Sequence, residues 1–185
     1  MTALALGRGI AGGDIDPVAL TEHFLDRMND GDSDRVVYLT AMPERARAED
    51  KAAAGRAAAG QRRGALDGVP MSWKDLFDSA GTPTTGASPI FAQRVPDRDA
   101  TLLARASRAG MVCLGKTNLT EFAFSGLGIN PHYGTPANAY DAAVARVPGG
   151  SSSGAAVSVA RGLAPAAIGS DTCCTAMMTR WRASW

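Results

Sequence analysis

Between Val69 and Asp171 the chain alternates short apolar runs with helix-like segments, and each run gives way to residues able to do chemistry. Val69 to Trp73 is apolar and β-leaning and reads as a strand that ends at Lys74. A long loop punctuated by glycine and proline follows in "KDLFDSAGTPTTGASP". Asp99 is placed to cap a helix through Leu102, Leu103 and Ala106, with Gly110 closing it and Met111 to Leu114 forming the next strand before Lys116. A helix over Ser153 to Arg161 and a strand over Ala164 to Ile168 repeat the alternation and deliver Gly169, Ser170 and Asp171. This βαβ order predicts an α/β sheet with helices on its faces. Ligands of open α/β sheets gather beyond the carboxyl ends of strands, so a site is expected near Lys74, Lys116 and the Ser170/Asp171 pair.

Residues 1–66 read as an N-terminal helical region. Asp16 and Pro17 have the order of an N-cap and a first helical residue, and Leu20, Phe24 and Met28 recur every four residues until Gly31. Pro43 to Arg62 forms a second helical stretch, rich in alanine and charge and weakened by Gly55 and Gly60. The sequence has no internal repeat.

At 185 residues, 45% of them hydrophobic, the chain is long enough for one domain with a core. Its 19 basic residues are interspersed with 18 acidic ones, so it lacks the basic stripe that a nucleic-acid partner requires. No apolar run nears the roughly 18 residues that span a bilayer, and "MTALALGRGIAGG" lacks the basic and apolar regions of a signal peptide. Cys113, Cys173 and Cys174 are odd in number and two are adjacent, which gives no disulfide framework and suits a reducing compartment. A cytoplasmic location without a membrane partner is the expectation.

The stretch "PGGSSSG", Pro148 to Gly154, offers backbone N–H groups and three hydroxyls just before a helix. It can be a plain turn and helix cap. It can be an anion cradle, although it lacks the lysine-serine or lysine-threonine ending of a P-loop. It can also belong to a nucleophilic site, which needs a base. The histidines are His23, on the first amphipathic helix, and His132, in the loop "NPHYGTP", and neither has the setting of a catalytic base. Lysine serves as base when burial leaves it neutral, and Lys74, at the end of an apolar strand, is the candidate.

Three segments in order, "GVPMSWKDLFDSAGTPTTGAS", "LGKTNLTEFAFSGLGINPHYGTPANAYD" and "VPGGSSSGAAVSVARGLAPAAIGSD", closely resemble successive motifs of the amidase signature family. The resemblance covers about Gly68 to Thr172. Its wording is closer to the general amidases than to the A subunit of the glutamine-dependent aminoacyl-tRNA amidotransferase, which belongs to the same family. It implies a mixed β-sheet core flanked by helices over residues 67–172, and hydrolysis of a small carboxamide without metal or organic cofactor. In such enzymes a lysine is the ultimate base and the first serine of the glycine-serine loop, in a cis peptide, relays the proton. Those positions are Lys74 and Ser151. Lys116, Asn118 and Glu121 match a further family motif, for which a role in holding strand and loop together is expected.

The resemblance places the nucleophile, a serine preceded by two glycines in the family, 24 residues after Ser151, where this sequence has Thr175 preceded by Cys173 and Cys174. The resemblance assigns Ser152, Thr172, Cys173 and Cys174 to the substrate side of the site. The β-methyl of threonine restricts χ1, and side chains at the glycine positions obstruct an oxyanion hole whose single donors are worth about 10²- to 10³-fold in rate. Cys174 as nucleophile would stand one residue out of register. After Thr172 nothing resembles the family, and "AMMTRWRASW" has the texture of a shifted reading frame. The expectation is therefore a truncated, weakly active or inactive amidase, with residues 173–185 a non-family tail, low solubility and no cooperative unfolding. A non-catalytic binding protein built on the same fold, and the amidotransferase A subunit, are the alternatives.

Overall fold

Hydroxyl and carboxylate caps start the first two helices. The computed structural model describes residues 1–32, 36–140 and 143–171. In it, Thr2 Oγ1 accepts from the Ala5 amide to open α1 (Ala3–Gly12), and Asp16 Oδ1 accepts from the Val18 amide to open α2 (Pro17–Gly31). There follow β1 (Tyr38–Ala41), α3 (Pro43–Ala58), β2 (Pro70–Lys74), α4 (Thr101–Arg108), β3 (Val112–Thr117), α5 (Ser153–Ala160) and β4 (Ala167–Ile168). The strands form one mixed sheet in the order β1-β3-β2-β4, with β2 parallel to both β3 and β4 and with β1 antiparallel to β3. The α/β class expected from the alternation is the one observed.

β2 and β3 are buried along their whole lengths, which explains why they read as continuous apolar runs and not as alternating ones. Successive side chains go to opposite faces. Val112 and Leu114 join Leu6, Ile10, Phe24 and Val157 in one cluster, whereas Cys113 and Trp73 pack with Leu103, Ala106 and Met42 in another. The N-terminal helices thus share a core with the sheet.

Several elements depart from expectation. Asp99 does not cap α4: its carboxylate takes two bonds from Arg45, at 2.8 and 2.9 Å, and one from the Ala80 amide at 2.8 Å. A guanidinium fork outcompetes a helix end for a carboxylate, and Ala100 precedes α4 without a side-chain cap. α3 stops at Ala58 because Gly60, at φ 67°, turns the chain. β3 runs on to Thr117, placing Lys116 inside the strand. The last strand shrinks to Ala167–Ile168 because the Ala164 amide still bonds to Ser158 O at the end of α5, and Pro165 has no N–H. The region read as helical also supplies β1, whose four residues are too few to show a period.

Candidate functional site

β2 is an inner strand, so its last residue is covered from both sides. Lys74 is fully buried, with Nζ 2.6 Å from Ser151 Oγ and 2.8 Å from Ser170 Oγ. Burial lowers its pKa to about 8, and the carboxylate of Asp171 opposes that shift. An amine with such a midpoint exchanges protons near neutral pH.

The loop around Ser151 is held by the segment after β3. The Gly150–Ser151 peptide is cis. Ser151 O accepts from the Thr120 amide at 3.0 Å and the Gly150 amide donates to Gly126 O at 2.8 Å. A Cβ on Gly150 would stand 2.8 Å from the Gly128 backbone and 2.9 Å from Thr120 Oγ1, so this approach requires glycine. Ser152 is buried, and its hydroxyl donates to Ser170 O at 3.1 Å and accepts from the Ser170 amide at 3.2 Å. Lys74, Ser151, Ser152 and Ser170 are therefore one connected group. Thr172, Cys173, Cys174 and Thr175 lie outside the described residues.

Beside this group is a buried ion pair. Lys116 Nζ lies 2.8 Å from Asp75 Oδ1, and both side chains are fully buried. Asp75 Oδ2 accepts from the Thr85 amide at 3.0 Å and from Thr85 Oγ1 at 2.6 Å. Burial pulls the Lys116 pKa down while Asp75 pulls it back up. Asn118 Nδ2 donates to the carbonyls of Val36 and Gly134, each at 2.9 Å, and its Oδ1 accepts from the Leu119 amide, a fastening role as expected. Glu121 lies 3.3 Å from His132, half-exposed in the same loop. His23 stacks edge-on against Phe24 on α2. Among the described residues, no group of three or more His, Cys, Asp or Glu is gathered for a metal ion, and no helix is long and apolar enough to cross a membrane.

The alternation of strands places Ser170 near the site, but the contact of its hydroxyl with Lys74 is not legible in the sequence. The signal for it is the register of β4 on β2, with Ser72 opposite Ala167, which no local pattern encodes. Asp75 and Thr85 are further members of the site that sequence reasoning does not single out. A carboxylate closing an apolar run is the available clue.

A family model described as Amidase matches residues 19–174. The A subunit of glutamyl-tRNA(Gln) amidotransferase from Anaeromyxobacter dehalogenans (strain 2CP-C) is 43% identical over 166 residues, covering 90% of this chain and 33% of that protein. The native peptide amidase of Stenotrophomonas maltophilia superposes with a TM-score of 0.79 at 32% identity, over 89% of this chain and 34% of its own. A structure described in connection with the evolutionary origins of an s-triazine catabolic enzyme superposes with a TM-score of 0.88 at 35% identity, over 93% of this chain and 37% of its own. The chain thus spans about a third of the length of these relatives.

Proposed function

Because the chain belongs to the amidase family, we propose that its site is that of a hydrolase of carboxamide C–N bonds in which Lys74 and Ser151 move the protons. The 2.6 Å contact between the buried Lys74 amine and Ser151 Oγ carries this reading. Residues 67–172 form the unit that holds the site, and residues 1–66 brace it.

In the proposed reaction, a hydroxyl at position 175 attacks the carbonyl carbon of the amide. Its proton passes to Ser151 Oγ as the Ser151 proton passes to neutral Lys74. Collapse of the tetrahedral intermediate breaks the C–N bond, and the amine departs with a proton returned from Lys74 through Ser151. Water then attacks the ester as the same relay takes its proton, the ester C–O bond to residue 175 breaks as that proton is returned to its hydroxyl oxygen, and the acid leaves. Ser152 holds Ser170 through two hydrogen bonds, and the family resemblance assigns Thr172, Cys173 and Cys174 to the substrate side. Threonine at 175 and cysteines at the glycine positions make the reaction slow in this chain. The partner is a small amide, without nucleic acid or membrane, in the cytoplasm.

A fluorophosphonate, which couples to activated hydroxyls, tests the reading. Slow labelling of the 185-residue chain that disappears in Lys74→Ala is the expected result, and labelling indifferent to Lys74 overturns it.

The identity of 43% to an amidotransferase A subunit supports a second reading, that this stretch belongs to a protein of that kind. Grafting residues 19–171 into the Anaeromyxobacter protein separates the two. Retained amidotransferase activity supports the second reading and loss of it favours the general amidase.

A further inference from the structure

Asp75 is a buried carboxylate one residue along from Lys74. Left unpaired in surroundings that exclude water, an anion there would favour the protonated amine, which cannot act as a base. Strand alternation sends Asp75 to the same face as Trp73 and sends Lys74 to the other. Lys116 is the ladder partner of Trp73, on the Asp75 side. Its Nζ lies 2.8 Å from Asp75 Oδ1, and it also contacts Thr84 Oγ1 and, at 3.3 Å, the carbonyl of Pro83. Thr85 occupies the second carboxylate oxygen through its amide and hydroxyl. Both carboxylate oxygens of Asp75 therefore have neighbours other than Lys74, Oδ1 in the ion pair and Oδ2 in two hydrogen bonds.

The other charged groups around the pair are accounted for. Asp78 and Asp99 lie within the field of Lys116, and each is clamped by an arginine, Asp78 by Arg94 at 2.6 Å and Asp99 by Arg45 at 2.8 Å. Burial keeps the Cys113 thiol protonated on the same face. Asp171, after β4, is the carboxylate that acts on Lys74. Stability alone is a weak reason for two buried charges, because well-packed apolar replacements of such pairs are often neutral or stabilising.

We propose that Lys116 is a positioning residue for Lys74: by pairing with Asp75 it cancels the field of that carboxylate and leaves Lys74 able to exchange a proton with Ser151. The proposal rests on the reading of Lys74 as the base.

The chain has three lysines, Lys51, Lys74 and Lys116, so the side-chain nitrogens of a ¹⁵N,¹³C-lysine-labelled 185-residue chain can be assigned and titrated by NMR. Lys116→Met strands the Asp75 charge and is expected to raise the Lys74 midpoint by about 1 pH unit or more. Asp75→Asn leaves the Lys116 charge unbalanced and is expected to lower it. The double variant Asp75→Asn/Lys116→Met removes both charges and is expected to restore it to within about half a unit of the parent. A pair that serves structure alone does not produce opposite shifts that cancel. An unmoved midpoint in Lys116→Met, or shifts of the same sign in both single variants, overturns the proposal. Should a single variant lose its native spectrum, the double variant and Lys116→Arg, which keeps the charge, still decide, since a displaced Lys74 midpoint in either refutes it. The titration needs no turnover, so failure of amide hydrolysis leaves it intact. A parent Lys74 that titrates like free lysine refutes the base reading instead.

Discussion

Gly154 sits so close to Val37 that a methyl group on it would stand 2.4 Å from the Val37 carbonyl oxygen. The same methyl would stand 2.5 Å from the Asn118 amide nitrogen, which donates to that oxygen at 2.9 Å. Gly154 closes the set by donating to Asn118 O at 2.9 Å. The first turn of α5 is thereby fixed against the end of β3, and with it the loop that carries Ser151. Gly154→Ala must break this contact, because both obstacles are backbone. Overpacking of this kind costs about 1–3 kcal/mol, so amide exchange at Asn118 and Gly154 should speed by about 10- to 100-fold. Gly55, inside α3 with nothing within 4 Å of its added Cβ, is the control. Gly55→Ala should stabilise by about 0.5–1 kcal/mol.

Lys74 gives stability an inverted dependence on pH. Its folded pKa is about 8 against 10.5 for the free side chain. Below pH 8 both states hold the proton and the folded chain bears the full burial cost. Between the two values the unfolded chain binds more protons, so stability rises with pH. Lys74→Met removes the titration. Compared by brief proteolysis across a urea series, the parent should gain on this variant by up to about 3 kcal/mol from pH 8 to 10.5. A constant difference would show that Lys74 titrates as an ordinary lysine.

Cys113 is fully buried, and desolvation, with Glu49 adding to it, raises its thiol pKa far above the ordinary range. Thiolate is the reactive form. Iodoacetamide at pH 8 should leave Cys113 unmodified in the folded chain and alkylate it in denaturant, as read by peptide mass spectrometry. Rapid native alkylation would mean that the Trp73–Leu103 cluster opens readily.

The parts of this molecule legible in its sequence are those encoded by local patterns. The caps at Asp16, the four-residue spacing of Phe24 and Met28, and the apolar run ending at Lys74 each rest on neighbours within a few residues, and each matches the fold. The pairing of Lys74 with Ser151 spans 77 residues and is legible only through family motifs. What stays hidden depends on competition between distant partners. Asp99 has the spacing of a cap, yet Arg45, 54 positions away, takes its carboxylate. β1 is recruited by β3 through backbone bonds that any short segment could make, so its sequence carries no mark.

Large apolar side chains stand open in the segments that join β2 to α4 and β3 to α5. Phe124 and Tyr140 are each 92% exposed and Ile90 is 75% exposed. Such surface promotes association. The purified chain should bind a hydrophobic dye and aggregate with rising concentration, and Phe124→Ser with Ile90→Ser should lessen both. Unchanged light scattering in that double variant would place the cause elsewhere.

Position 175 offers the most direct test of the proposed chemistry. Lys74 and Ser151 have the contact a proton relay needs, so the proposed reading assigns slow reaction to positions 173–175, where cysteines stand for both expected glycines and threonine for serine. Cys173→Gly and Cys174→Gly remove the side chains beside the backbone N–H groups and restore glycine's conformational freedom, and Thr175→Ser supplies an unhindered hydroxyl. An oxyanion donor is worth about 10²- to 10³-fold in rate. Fluorophosphonate labelling of the triple variant should exceed that of the parent by at least about 100-fold, map to residue 175, and vanish when Lys74→Ala is added. Thr175→Ser alone should recover only a small part, since it leaves the cysteine side chains in place. Labelling of the triple variant no faster than the parent would mean that the relay between Lys74 and Ser151 is not competent, and would redirect attention to the binding reading of the fold.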